Sequence, residues 1–109
     1  MIRRRLTVLF SALAVLAACG TAAQRRQGYV DANPGLQPEI ASAILEGEIA
    51  EGMTREDVRA AWGDPERETR AISEAGEQDT WSYPTPIGRF KEGKVILIFA
   101  KGKLVKLIN

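Results

Sequence analysis

Gly52-Met53-Thr54-Arg55-Glu56-Asp57-Val58 is the stretch that decides how this chain folds. A threonine hydroxyl accepts well from the free N–H groups of a helix's first turn, so Thr54 reads as an N-cap. Asp57 then stands at the third helical position, where a carboxylate favours the helix dipole, and Met53 and Val58 have the spacing of a hydrophobic staple. The helix opened in this way buries Val58, Ala61 and Trp62, and it stops at Gly63-Asp64-Pro65, where glycine takes a left-handed turn and proline blocks extension. Upstream, Pro38 suits a first helical turn. Ile40, Ala41, Ile44, Leu45 and Ile49 follow at spacings that make one apolar stripe, which Gly47 weakens and Gly52 ends. Two short helices set at an angle are expected.

Everything after Pro65 reads as strand. Residues 66–73 are a polar candidate, 74–78 a turn, and 80–83 alternate so that Trp81 and Tyr83 share a face. Pro84 and Pro86 break the pattern. Lys94–Ala100 is strongly apolar, Lys101-Gly102-Lys103 reverses the chain, and residues 104–108 return beside it. One face of this hairpin then holds Ile96, Ile98, Val105 and Leu107. The other holds Val95, Leu97, Phe99, Leu104 and Ile108 around Lys106. The first set carries no charge and is expected to pack on the helices. The second would leave five apolar side chains on the side that an antiparallel sheet usually wets. Either another part of the chain covers them (Trp81, Tyr83 or the segment ahead of the helices) or a partner does. Leu97, Phe99 and Leu104, bordered by Lys101, Lys103 and Lys106, are therefore the candidate partner-binding residues.

The N-terminus carries a different message. Arg3, Arg4 and Arg5 form a short basic head, residues 6–18 are an uncharged and mostly apolar run, and Leu16-Ala17-Ala18-Cys19 follows with Gly20 next. Thirteen residues of helix reach about 20 Å, short of the roughly 30 Å of bilayer hydrocarbon, so the run suits export and cleavage better than permanent spanning. Leu-Ala-Ala-Cys resembles the bacterial lipobox. In lipoproteins of that kind the cysteine thiol is acylated, the chain is cut before it, and the new amine is acylated too. That resemblance makes residues 1–18 a lipoprotein signal peptide and Cys19 the lipidation site and first mature residue. Several acyl chains hold a soluble domain on a bilayer where one would bind only marginally. Residues 20–37 show no helical or alternating period and read as a flexible tether, with Arg25 and Arg26 as solvated charges or headgroup contacts. Residues 38–109 are the folded domain.

Composition narrows the chemistry. Once residues 1–18 are removed, 12 Lys and Arg remain against 14 Asp and Glu, so the mature chain is close to neutral and nothing points to nucleic acid. Cys19 is the only cysteine and there is no histidine, so no intrachain disulfide forms and the commonest metal and nucleophile sites are missing. No cofactor is expected. Asp57, Asp64, Glu66 and Glu68 are the carboxylates that a catalytic pair would need, but Asp57 is explained by the helix start and Asp64 by the turn, so the chain is not read as an enzyme. Charge is uneven along the sequence. Residues 31–79 hold thirteen acids against four bases, and residues 80–109 one acid, Glu92, against six bases. Lysines on strands guard exposed edges, and a basic strand surface also steers an acidic partner or lipid headgroups.

A wider resemblance is carried by Ile49-Ala50-Glu51-Gly52-Met53-Thr54-Arg55-Glu56-Asp57-Val58, Trp62-Gly63-Asp64-Pro65, Trp81-Ser82-Tyr83 and a closing apolar hairpin. Their order resembles the SmpA/OmlA (BamE-like) family of small outer-membrane lipoproteins over residues 39–109. The resemblance implies an α+β fold, two short N-terminal helices packed on a small antiparallel sheet of three to four strands. It also implies a non-catalytic, protein-binding accessory role in envelope or outer-membrane protein assembly, with envelope proteins as partners, β-barrel assembly components among them. Trp62 stands where the family commonly has an aliphatic residue. Gly20 after the cysteine resembles the sorting pattern that sends lipoproteins to the outer membrane in enteric bacteria, and a lipid-anchored position on its periplasmic face is the expectation, the sequence itself leaving periplasmic and surface orientation open. A related two-helix-on-sheet architecture occurs in a β-lactamase inhibitor protein, so an inhibitor or ligand-binding module using the sheet face is the alternative.

Overall fold

The computed structural model describes residues 20–109; residues 1–18, read as a signal peptide, and Cys19, read as the lipidation site, lie outside the described residues. Three helices, α1 (Ala22–Ala32), α2 (Pro38–Glu46) and α3 (Arg55–Trp62), precede four strands, β1 (Arg67–Ser73), β2 (Gly76–Pro84), β3 (Lys94–Ala100) and β4 (Lys103–Ile108). The strands make one antiparallel sheet in the order β1-β2-β3-β4, and the helices pack on one of its faces, giving the expected α+β class. No helix among the described residues is long and apolar enough to cross a membrane.

α3 begins as its sequence dictates. Asp57 N donates to Thr54 Oγ1 at 3.2 Å and Thr54 N donates to Asp57 Oδ2 at 3.0 Å, a reciprocal capping box. Met53 and Val58 are fully buried beside it. α2 starts at Pro38 and ends at Gly47, whose φ of 73° lets Glu48 N reach back to Ala43 O at 2.8 Å. The apolar stripe therefore stops short of Ile49, which packs against the core from the following loop.

The segment read as a flexible tether contains α1. Its start is also a capping box: Gln24 N donates to Thr21 Oγ1 at 3.2 Å and Thr21 N donates to Gln24 Oε1 at 2.9 Å. Ala, Gln and Arg then propagate the helix well, although none of its residues is fully buried. Side-chain hydrogen bonds dock it on the domain. Arg25 Nε donates to Ala60 O at 3.1 Å and Arg26 Nε to Ala61 O at 2.9 Å, which satisfies carbonyls that the end of α3 leaves free. Tyr29 and Val30, in its last turns, pack against the core.

The hairpin faces are the reverse of those expected. A β-bulge shifts the register between Ile98 and Phe99, so Phe99 opposes Leu104 while Ile98 opposes Lys106, and Val105 is the extra residue. Beyond the bulge every β4 side chain changes side. Leu107 joins Leu97 toward the helices, and Lys106 and Ile108 join Ile98 and Ile96 on the opposite face. Trp81 and Tyr83 stand beside Leu97 and Val95 on the helix side. That side is the core: Ile44, Met53, Val58, Ala61, Trp62, Trp81, Tyr83, Val95, Leu97, Phe99 and Leu104 are all buried. Aromatic edges lock it, with Trp62 and Tyr83 T-shaped at 5.1 Å between centroids and Trp81 and Phe99 tilted at 4.7 Å. The Trp62 indole N–H donates to Gly47 O at 2.8 Å, tying α3 to the end of α2.

Candidate functional site

The structure separates the residues expected to bind a partner. Leu97 and Phe99 are 0% exposed and Leu104 is 2% exposed, all under the helices, so none can meet a partner. Lys101, Lys103 and Lys106 are exposed, but they do not ring those three side chains. Lys103 pairs with Ala100 and Lys106 with Ile98, on the far face of the sheet.

That far face is the surface that the fold leaves open among the described residues. From β1 it shows Arg67, Thr69 and Ala71; from β2 Gln78, Thr80 and Ser82; from β3 Lys94, Ile96, Ile98 and Ala100; from β4 Lys103, Lys106 and Ile108. Four of these thirteen positions are cationic and none is acidic, because every acid on the strands, Glu68, Glu77 and Asp79, falls in the alternate register and points to the helix side. The period of two that builds the core has sorted the charges at the same time. Ile96 and Ile98 are half-buried by their neighbours, and Ile108 and the bulged Val105 are exposed. Arg67, Thr69, Thr80, Ser82, Lys94 and Ile96 line a shallow depression of about 250 Å³ on this face. Lys94 Nζ lies 3.8 Å from Glu66 Oε1 at the strand's edge, an exposed pair that screens only one of the four cations and is worth little.

On the helix side, β1 runs past the edge of the helix layer, and charged side chains close the gap. Arg55 and Arg70 both donate to Asp79, Arg70 Nε at 3.0 Å from Oδ1. Glu77 Oε1 lies 3.0 Å from Arg70 Nε. Burial pushes the Asp79 carboxyl up, but the Arg70 and Arg55 guanidiniums outweigh it and hold the group below the usual carboxylate range. Beside it, Arg59 pairs with Glu68 and Asp64 and lays its guanidinium 4.5 Å from the Trp81 ring centroid. An ionised carboxylate held by two arginines is a poor base. The cluster seals the exposed end of the core.

The carboxylates weighed for catalysis are dispersed. Asp57 is 5% exposed and accepts from Thr54 N and from the Tyr29 hydroxyl, whereas Asp64, Glu66 and Glu68 are exposed around the start of β1. Among the described residues no three His, Cys, Asp or Glu side chains converge as metal ligands. Sequence reading missed Ile96, Ile98, Lys94 and Arg67 as surface residues. The signal that would have found them is the single sign of charge in one strand register. Comparison with protein-family models, with curated proteins and with solved structures finds no match to this chain.

Proposed function

We propose that this chain is an outer-membrane lipoprotein, anchored through acylated Cys19 on the periplasmic face, that acts without catalysis by binding another envelope protein. The observation that carries the binding part is the outer sheet face. Four cations surround Ile96, Ile98 and Ile108 there, against one acid at the edge, Glu66 beside Lys94, so an apolar centre has a predominantly basic rim. Such a face fits an acidic protein surface with a few aliphatic side chains. A second copy of this chain is disfavoured, since self-pairing would set cations against cations. Lipid headgroups are disfavoured too, because α1, which leads to the anchor, lies on the opposite side of the sheet. The resemblance to the SmpA/OmlA family adds the assembly of outer-membrane proteins as the setting.

The test is recovery of partners from detergent-solubilised membranes by wild type and by Lys94→Glu/Lys106→Glu, a double variant confined to exposed strand positions. The wild type should retain an acidic envelope protein that raised salt releases, and the variant should lose it. If the folded variant retains the same protein at wild-type yield, the outer face is not the docking site. Salt-sensitive retention of a soluble enzyme would move the protein to the inhibitor class.

A further inference from the structure

Read as a tether, residues 20–37 would let the domain wander about 20 to 25 Å from its anchor on average. The structure removes that freedom. Only Gly20 and Thr21 precede α1, and their reach is on the order of 10 Å. α1 itself is fixed at both ends: by Arg25 and Arg26 on the last turn of α3, and by Tyr29 Oη on Asp57 Oδ1 at 2.5 Å at its first turn. The two helices are therefore antiparallel, and the start of α1 lies at the C-terminal end of α3.

That end of the molecule can be mapped by contact. A Cβ at Gly47 would lie 2.9 Å from Arg26 Cζ, and one at Gly88 would lie 3.0 Å from the Trp62 ring and 3.2 Å from Gly47 O. Phe90 packs edge-on to Trp62 at 6.1 Å, and the Tyr83 hydroxyl donates to Gly63 O at 2.8 Å. The start of α1, the Gly63 turn and the loop between β2 and β3 thus form one pole. This loop carries exposed Arg89 and Lys91, with exposed Glu92 beside them. The opposite pole holds the start of α3 and the β3–β4 hairpin tip, where a Cβ at Gly102 would lie 3.9 Å from Arg55 Nη1.

We infer that α1 is a rigid seat between lipid and domain: it holds the pole of Trp62, Phe90 and Lys91 against the bilayer headgroups and lifts the Lys101-Gly102 hairpin tip into the aqueous space. This rests on the acylation of Cys19. The basic loop residues then meet anionic headgroups, and the outer sheet face stands beside the membrane, open sideways. A partner for that face must itself lie at the membrane surface.

The test uses the mature acylated protein in vesicles of phosphatidylethanolamine and phosphatidylglycerol that contain a headgroup-spin-labelled quencher lipid. Lys91→Cys and Lys101→Cys each supply the only free thiol, because the Cys19 sulfur is held in its thioether, and each is labelled with a fluorophore. Quenching should be several-fold stronger at position 91 than at 101. A Gly-Ser insertion of about twelve residues between Gly20 and Thr21, which leaves the fold untouched, should abolish the difference. Equal quenching at both positions in the uninserted, acylated protein overturns the seat while leaving the anchor standing. A mature protein that carries no acyl group and stays in the supernatant overturns both.

Discussion

The Tyr29 hydroxyl donates to Asp57 Oδ1 at 2.5 Å, and Asp57 Oδ2 accepts from Thr54 N at 3.0 Å. One carboxylate thus closes the cap of α3 and holds the last turns of α1. Folding of the domain and docking of its N-terminal segment are joined through this side chain.

Tyr29→Phe should therefore weaken the fold by about 1.5 to 3 kcal/mol, the scale of a hydrogen bond to a charged acceptor. The same contact is visible in alkaline titration, since the chain has two tyrosines. Burial and the neighbouring Asp57 push the Tyr29 phenol up to about 12, and burial raises Tyr83 further. The protonated phenol's contribution is full below the ordinary value of about 10 and is lost as pH rises through about 12. Phenolate absorbance should stay flat through pH 10 in the folded protein. One tyrosine ionising at its ordinary pH would mean that α1 is undocked.

Asp79 governs the acid side. Its carboxyl is held below the usual range, so its stabilising contribution is full above about 3.9 and disappears as pH falls from there through the lower folded value. Asp79→Asn should lose about 1 to 3 kcal/mol at neutral pH and lose less than the wild type on acidification. Urea midpoints at neutral and acid pH test this. A gap between the two proteins that does not narrow in acid would count against the Arg55–Asp79–Arg70 cluster.

Phe99 and Ile98 are sequence neighbours on opposite faces, and their variants should part accordingly. Phe99→Ala should cost about 3 to 5 kcal/mol as a core truncation. Ile98→Thr keeps a β-branched side chain on a half-open face and should stay within about 1 kcal/mol. Urea midpoints that shift equally would contradict the burial of Phe99, and not Ile98, on the helix side of β3.

Much of this architecture is legible in the residues, and the failures have local causes. Thr54, Asp57, Met53 and Val58 announce α3 because capping and stapling are short-range chemistry. Lys101-Gly102 announces a hairpin because both residues sit at positive φ, 54° and 80°, in a two-residue turn. α1 was hidden because its apolar residues, Tyr29 and Val30, come only in the last turns and leave no period to find. Thr21-Ala22-Ala23-Gln24 was nonetheless a capping box in plain view. The faces of the hairpin were hidden because nothing in Val105 marks it as the extra residue of a bulge, and one extra residue inverts the sorting of all that follows it. The binding residues went wrong with the faces.

Cys19→Ala should yield protein without lipid, since no other side chain in this sequence can form the thioether. Growth with a clickable fatty acid, followed by gel fluorescence, reads this directly. Equal incorporation in wild type and variant would remove the anchor.

The docking face is tested most directly by a photo-crosslinking amino acid placed at Ile98 in the cell, with one at Ile72 as control. Ile72 is 80% exposed on the edge strand, in the opposite register. The probe at position 98 should yield a discrete adduct with an acidic envelope protein, lost when Lys94→Glu/Lys106→Glu is added and absent from position 72. A folded, lipidated protein that gives no adduct at position 98, or one that survives charge reversal, would contradict the account.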